Sequence, residues 1–256
     1  MTEVDGPDKA CNDGGSPIKD DEYKMNGKII DINGVNTYYF KNGKTKKIFI
    51  FLYDIFGWNK TNKNVFRFCD LLAKKNGFSV IMPDFYRGDP WPIEDFPFGD
   101  DKLKKKCFNL WVQSVASDIV VRKDIYEKIL PYLYDNEYEK ISIGGTCWGG
   151  KQAFVLGNDN DRFTSVLTMH AAWITQDLCN SLNVPVMYCP AQGDTSAKDV
   201  TKWLEKKKYR KKCEYFEFPN EVHGFCAARG DWTNKRTKTA VDKILDESVK
   251  FFKKTM

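Results

Sequence analysis

Ile141-Ser142-Ile143-Gly144-Gly145-Thr146-Cys147-Trp148-Gly149-Gly150 joins an apolar strand to the helical run Ala153-Phe154-Val155-Leu156 through a G-x-C-x-G turn. This is the form of a nucleophile elbow with Cys in place of Ser. A sharp strand-to-helix turn lifts one side chain above a sheet only if small residues flank it, so that the two backbones can approach. Gly145, Gly149 and Gly150 meet that need. A helix beginning just after Cys147 also brings the positive end of its dipole and free N–H groups to the sulfur, which favours the thiolate. Taken alone, the same stretch equally describes a tight turn around an inert thiol.

Working outward, the flanking chain alternates short apolar runs with amphipathic ones. Ile29 to Ile32 and Val35 to Phe40 are strand-like, and Lys47 to Tyr53 is a buried strand rich in Ile and Phe. Val65, Phe68, Cys69 and Leu72 then recur at helical spacing, with Asn76-Gly77 as the stop and a strand from Phe78 to Met82, which makes a β-α-β unit. A loop with Pro90, Trp91, Pro92 and Pro97 leads into a long helical stretch striped by Val115, Ile119, Ile125 and Ile129. Further strands are predicted at 140–143, 166–169, 184–188 and 215–218, and helices at 148–156, 197–206 and 238–253. Such alternation predicts an α/β fold, a mostly parallel central sheet with helices on both faces. One domain over 28–256 suffices, preceded by a leader, residues 1–27, poor in large apolar groups and read as loosely attached.

A hydrolase built on such an elbow needs its acid and then its base after the nucleophile, each beyond a later strand. Val184 to Tyr188 runs into Pro190-Ala191-Gln192-Gly193-Asp194, and Tyr215 to Phe218 runs into Pro219-Asn220-Glu221-Val222-His223. Asp194 is therefore the candidate acid and His223 the candidate base. With 2 histidines in the chain the only rival base is His170, which precedes Asp194 and is in the wrong order. The second donor of an oxyanion hole is expected from Tyr53-Asp54-Ile55-Phe56-Gly57-Trp58, so that the N–H groups of Ile55 and Trp148 would face a developing negative oxygen. Asp54 lies at the same strand end.

Composition narrows the partners. Lys and Arg total 40 against 35 Asp and Glu, but the signs are interleaved, which argues for a solvated surface and against nucleic acid. The longest apolar run, Ile48 to Tyr53, is too short for a membrane span, and Met1 to Asp21 carries no apolar signal region, so a soluble, cytoplasmic protein is predicted. The 8 cysteines form no C-x-x-C pair, which suits reduced thiols, and the sequon at Asn59 is expected to stay unmodified. Neither the spacing of His and Cys nor any Gly-rich motif points to a metal or a cofactor. A monomer or weak homodimer is expected.

The residues together resemble the dienelactone hydrolase family, a cysteine branch of the α/β-hydrolases, from about Gly27 to the C-terminus. The similarity is carried by Asp54-Ile55-Phe56-Gly57-Trp58, by Pro83-Asp84-Phe85-Tyr86-Arg87-Gly88-Asp89-Pro90, by Cys147-Trp148-Gly149-Gly150 and by His223-Gly224-Phe225. Gly6-Pro7 and Cys11 in the leader are similar to eukaryotic members, including plant proteins with a glucanase label. The resemblance implies a Cys147, His223, Asp194 triad acting on a small ester or lactone, with an acidic residue at Asp54 holding the resting thiol. Bacterial members have Glu there. It also implies two arginines for a substrate carboxylate, and Arg87 and Arg229 fall within a residue or two of those places. Trp58, Tyr86, Trp91, Trp173 and Phe225 are candidates for an apolar lining. Competing readings are a related hydrolase with another substrate, such as a glucan, and a non-catalytic redox or binding protein on the same scaffold.

Overall fold

The computed structural model describes residues 9–19, 22–58 and 62–256, so the Asn59 sequon lies outside the described residues. Among the described residues eight strands form one sheet: β1 (Lys28–Ile32), β2 (Val35–Phe40), β3 (Lys47–Leu52), β4 (Ser79–Pro83), β5 (Lys140–Cys147), β6 (Val166–Ala171), β7 (Val186–Cys189) and β8 (Glu214–Tyr215). Their order is β1-β2-β4-β3-β5-β6-β7-β8. β2 pairs antiparallel with both β1 and β4, and every pairing from β4 to β8 is parallel. This is the predicted α/β-hydrolase architecture. Consecutive residues of β3, β4, β5 and β6 are buried, as a sheet covered on both faces requires.

The helices are α1 (Lys9–Asp13), α2 (Asn64–Asn76), α3 (Lys102–Ser114), α4 (Asp118–Asp124), α5 (Leu130–Asp135), α6 (Trp148–Leu156), α7 (Gln176–Ser181), α8 (Ala197–Trp203) and α9 (Lys235–Thr255). Phe49 and Phe51 point to one face of β3 by the two-residue period of a strand. There Phe51 meets Phe68 of α2 at 5.8 Å and Phe49 meets Phe252 of α9 at 5.7 Å. Beyond β5, Phe154 of α6 reaches Tyr188 of β7 at 6.1 Å.

Two expectations are corrected. The long helical stretch is broken: Val115 ends α3, Ser117 caps α4 by accepting from the Val120 N–H, and a π-helical turn, Ile125–Ile129, precedes α5. A serine side chain competing for backbone donors starts a new helix here in spite of the continuous apolar stripe. The described residues of the leader, 9–19 and 22–27, are also attached more firmly than expected. Ala10 and Cys11 of α1 are buried, the Ile18 N–H donates to the Ala228 carbonyl at 2.9 Å, and Tyr23 and Asn26 donate to Asp70.

Asp70 is fully buried and also accepts from the Tyr38 hydroxyl, so one carboxylate ties the leader, β2 and α2 together. Asp70→Ala strands two hydroxyls, a backbone N–H and a side-chain amide, and is expected to cost about 3 kcal/mol of unfolding free energy. Urea denaturation of the two proteins measures that difference.

Candidate active site

Cys147 closes β5 with φ 51° and ψ −118°, a left-handed conformation that costs a non-glycine residue of order 1–3 kcal/mol and so must be enforced by its surroundings. The surroundings are glycines. A Cβ on Gly145 would stand 1.9 Å from the Leu52 carbonyl oxygen and one on Gly149 2.2 Å from the same atom, so β3, β5 and α6 approach as closely as backbone allows. The elbow thus presents Sγ at the N-terminus of α6, where the first-turn N–H groups lack helical partners.

The two later strand ends converge on the same point. His223 Nδ1 lies 2.6 Å from Asp194 Oδ1, with both side chains fully buried. Asp194 Oδ2 accepts from the Ala191 N–H at 2.7 Å, and the Gln192 N–H donates to the Glu221 carbonyl at 2.9 Å, tying the acid loop to the base loop. Cys147 Sγ and a His223 ring nitrogen lie within 4.8 Å of each other. Asp54 is close by, held by the N–H groups of Phe56 at 2.9 Å and Ala228 at 3.4 Å, and burial raises its pKa to about 6. Its charge disfavours ionisation of Cys147.

Sequence reasoning missed the residue that completes the cluster. Cys11 of α1 lies 3.8 Å, sulfur to sulfur, from Cys147, and the donor atoms of Cys11, Cys147 and His223 are all within 4.8 Å of one another. These are the donor types of a metal site, which the spacing along the chain did not reveal. The contact with Cys147, and then the neighbouring His223 and Arg229, hold the Cys11 thiol well below the usual range. The same contact, followed by burial and the charges of Cys11 and Asp54, pushes the Cys147 thiol up. Cys11 thus covers the elbow, and Cys147 is only 2 % exposed.

His170, the rival base that chain order set aside, stands near the end of β6 beside the site. Its ring packs edge-on against that of His223, 4.9 Å between centroids, and burial beside that group and Arg229 holds its pKa well below the ordinary value. A neutral His170 therefore walls the base without adding a second positive charge.

Burial alone would lower the pKa of His223, but Asp194 and the sulfur of Cys11 raise it to about 10. A folded-state pKa above the unfolded value of about 6.5 gives stability that is complete below pH 6.5 and lost as pH rises through 10. The stability advantage of wild type over His223→Gln is expected to shrink steadily between pH 7 and pH 10. Denaturant midpoints across that range test the sign.

The other candidates divide. The guanidinium of Arg229 rests on the Phe96 ring at 4.8 Å, and its Nη1 donates to the His223 carbonyl at 3.2 Å and faces Cys11 Sγ at 3.9 Å. Its buried Nη2 has no hydrogen-bond partner among the described residues. Arg87 instead donates from Nη2 to both carboxylate oxygens of Asp124 at 2.7 Å, and from Nη1 to the Asp84 carbonyl at 2.5 Å. Tyr86 packs on Trp148 at 4.9 Å and Phe225 on His170 at 5.7 Å, both buried beside the elbow. Trp173 is half-buried just past β6. Trp58 and Trp91 line a cleft of about 360 Å³ with Phe56 and Pro90, beyond the loop that carries Asp54 and Ile55.

Comparisons with known proteins identify the family. The model of the dienelactone hydrolase family matches residues 35–256. The carboxymethylenebutenolidase homolog of Homo sapiens is 26% identical over 92% of this chain and 94% of its own, and that of Xenopus tropicalis 28% identical over 87% and 88%. A dienelactone hydrolase-like promiscuous phosphotriesterase from metagenomic libraries shares the fold with a TM-score of 0.61 at 16% identity, covering 91% of this chain and 99% of the other. With the matched region running from β2 to the last residue and holding every strand from β2 onward, the chain belongs to the dienelactone hydrolase family.

Proposed function

We propose that the chain hydrolyses a small carboxylic ester or lactone through a thioester on Cys147. The observation that carries this reading is the strained elbow that aims Cys147 Sγ at His223, whose far nitrogen is gripped by Asp194. Membership of a family of ester and lactone hydrolases supports the same class of chemistry.

In the reaction, α1 first withdraws, because Cys11 occupies the space between the elbow and solvent. Its departure removes the largest influence that keeps the Cys147 thiol protonated. The same departure takes from His223 the Cys11 sulfur that helps keep the imidazole charged, and in its neutral form His223 takes the thiol proton as Cys147 attacks the substrate carbonyl. The N–H groups of Trp148 and Ile55 hold the oxyanion, a contribution worth roughly 3–4 kcal/mol per donor at such sites. His223 returns its proton to the leaving alkoxide or enolate, then activates the water that frees the acid. Asp194 keeps the imidazole in the useful tautomer throughout. Asp54 restrains the resting thiol. The spare Nη2 of Arg229 favours substrates that carry a carboxylate of their own.

Glycan cleavage by paired carboxylates is disfavoured, since Asp194 is committed to His223 and Asp54 to two backbone N–H groups. Eight cysteines without a disulfide support a reducing compartment such as the cytoplasm.

Acid quenching during turnover of a p-nitrophenyl ester, followed by peptide mass spectrometry, tests the covalent step. The acyl mass is expected on the Cys147 peptide of wild type. In Asp194→Asn turnover should fall by about 10²–10⁴-fold with the fold intact. An acyl group found elsewhere, or none at any time, would overturn the assignment of Cys147.

A further inference from the structure

We propose that Cys11 and Cys147 are a disulfide-forming pair, a modification site at which a peroxide links the leader to the elbow and closes the site until a thiol reductant reopens it. The cross-link itself requires only the two thiols; its effect on turnover rests on the hydrolase reading above.

Three observations carry the inference. First, the two sulfurs are already in contact at 3.8 Å although 136 positions separate them in sequence. An S–S bond of about 2.05 Å asks for less than 2 Å of further approach. Second, the two partners are held in different ways. Cys147 is fixed by the crowded glycines of β5 and α6, whereas Cys11 sits on a helix of 5 residues outside the sheet. That helix is held by Ala10 against Gly193, by the Asn12 side chain accepting from the Phe98 N–H, and by the Arg229 guanidinium donating to the Gly15 carbonyl. Such an element can shift while the elbow stays in place. Third, the charges around Cys11 suit a peroxide reaction: Arg229 Nη1 faces its sulfur at 3.9 Å, and a ring nitrogen of His223 lies within 4.8 Å of it. Two cations stabilise a thiolate, and a thiolate beside a second thiol is the arrangement in which sulfenic acid is resolved as a disulfide.

The chemistry balances with a hydroperoxide, either hydrogen peroxide or an alkyl hydroperoxide. The Cys11 thiolate attacks the terminal oxygen, an S–O bond forms, the O–O bond breaks, and the departing alkoxide or hydroxide takes the proton held by His223. Cys147 Sγ then attacks the Cys11 sulfenic acid. The S–S bond forms, the S–O bond breaks, and the hydroxyl leaves as water with the Cys147 proton. Two thiols lose two electrons in total, and the peroxide gains them. A dithiol reverses the oxidation by two thiol-disulfide exchanges.

The product is a closed site. Cys147 is no longer a nucleophile, and α1 is bonded over it. Cys107, which is exposed, serves as an internal gauge of how much peroxide has reached the protein.

The test treats the full chain with graded hydrogen peroxide, blocks remaining thiols with iodoacetamide and maps peptides without reduction. A peptide pair joined through Cys11 and Cys147 is expected, with ester turnover lost at least tenfold at full cross-linking and both changes reversed by dithiothreitol. In Cys11→Ser no such pair forms, and peroxide carries Cys147 to acids that dithiothreitol does not repair, so most of the lost turnover stays lost. Absence of the linked pair in wild type when Cys107 is already oxidised would overturn the proposal. So would equal recovery by dithiothreitol in wild type and Cys11→Ser. A linked pair in a protein that turns over no ester would leave the modification site standing and remove the hydrolase reading instead.

Discussion

Cys147→Ala and His223→Ala are each expected to lower kcat/KM for a small aryl ester by at least about 10⁴-fold, near 5.5 kcal/mol of transition-state stabilisation. The size follows from the division of labour at the elbow. In the proposed mechanism, loss of the sulfur removes the covalent route and leaves backbone donors at Trp148 and Ile55 to assist water alone. Without the imidazole, the Cys147 thiol lies buried beside Asp54, which pushes it towards the protonated form, and nothing collects its proton. The double variant should lose little more than either single one, because groups that act as a unit are not additive. Initial rates of p-nitrophenol release, with circular dichroism to confirm folding, decide the matter. Turnover within tenfold of wild type in both single variants would remove the triad.

Gly145→Ala is expected to be the most damaging single change to the fold, costing more than about 4 kcal/mol or preventing folding. The new methyl would stand 1.9 Å from the Leu52 carbonyl oxygen, 2.8 Å from its carbonyl carbon and 3.1 Å from its Cα. All three are backbone atoms of β3, a strand paired on both sides, so no rotamer change relieves the clash. Gly88→Ala gives a contrast, since no atom lies within 4 Å of its added carbon; its only penalty is the φ of 79°. That change should cost about 1 kcal/mol. Thermal melts of the two variants against wild type are the measurement, and a Gly145→Ala protein as stable as Gly88→Ala would contradict the close approach of β3, β5 and α6.

The parts of this molecule that could be read from the chain are those fixed by local patterning. The apolar run of β5 followed by Gly145, Cys147, Gly149 and Gly150 announced a strand, a turn and a helix, because only glycine allows that approach. Asp194 and His223 were legible for a similar reason, each standing just past an apolar strand. The same logic put the Asp54 to Trp58 loop at the end of β3. What stayed hidden depended on through-space partners. Nothing near Cys11 in sequence signals that it meets Cys147, and its polar surroundings suggested a free leader. Nothing around Arg87 names Asp124, whose carboxylate claims the guanidinium on both oxygens. The stripe from Val115 to Ile129 concealed a break because apolar spacing records which face is buried, while Ser117 decides where hydrogen bonding restarts.

The cover over the elbow belongs to the same polypeptide, and this sets how the protein responds to competing ligands. Unlike a dissociable inhibitor, α1 cannot be diluted away, so in the proposed mechanism occupancy of the shut form is the same at any protein concentration. Every ligand that requires the open form then has its apparent affinity reduced by one common factor, the fraction of molecules that are open. Discrimination between two rival compounds is consequently set by the pocket alone, and a sequence change that loosens α1 would make all of them bind more tightly while leaving their ranking untouched.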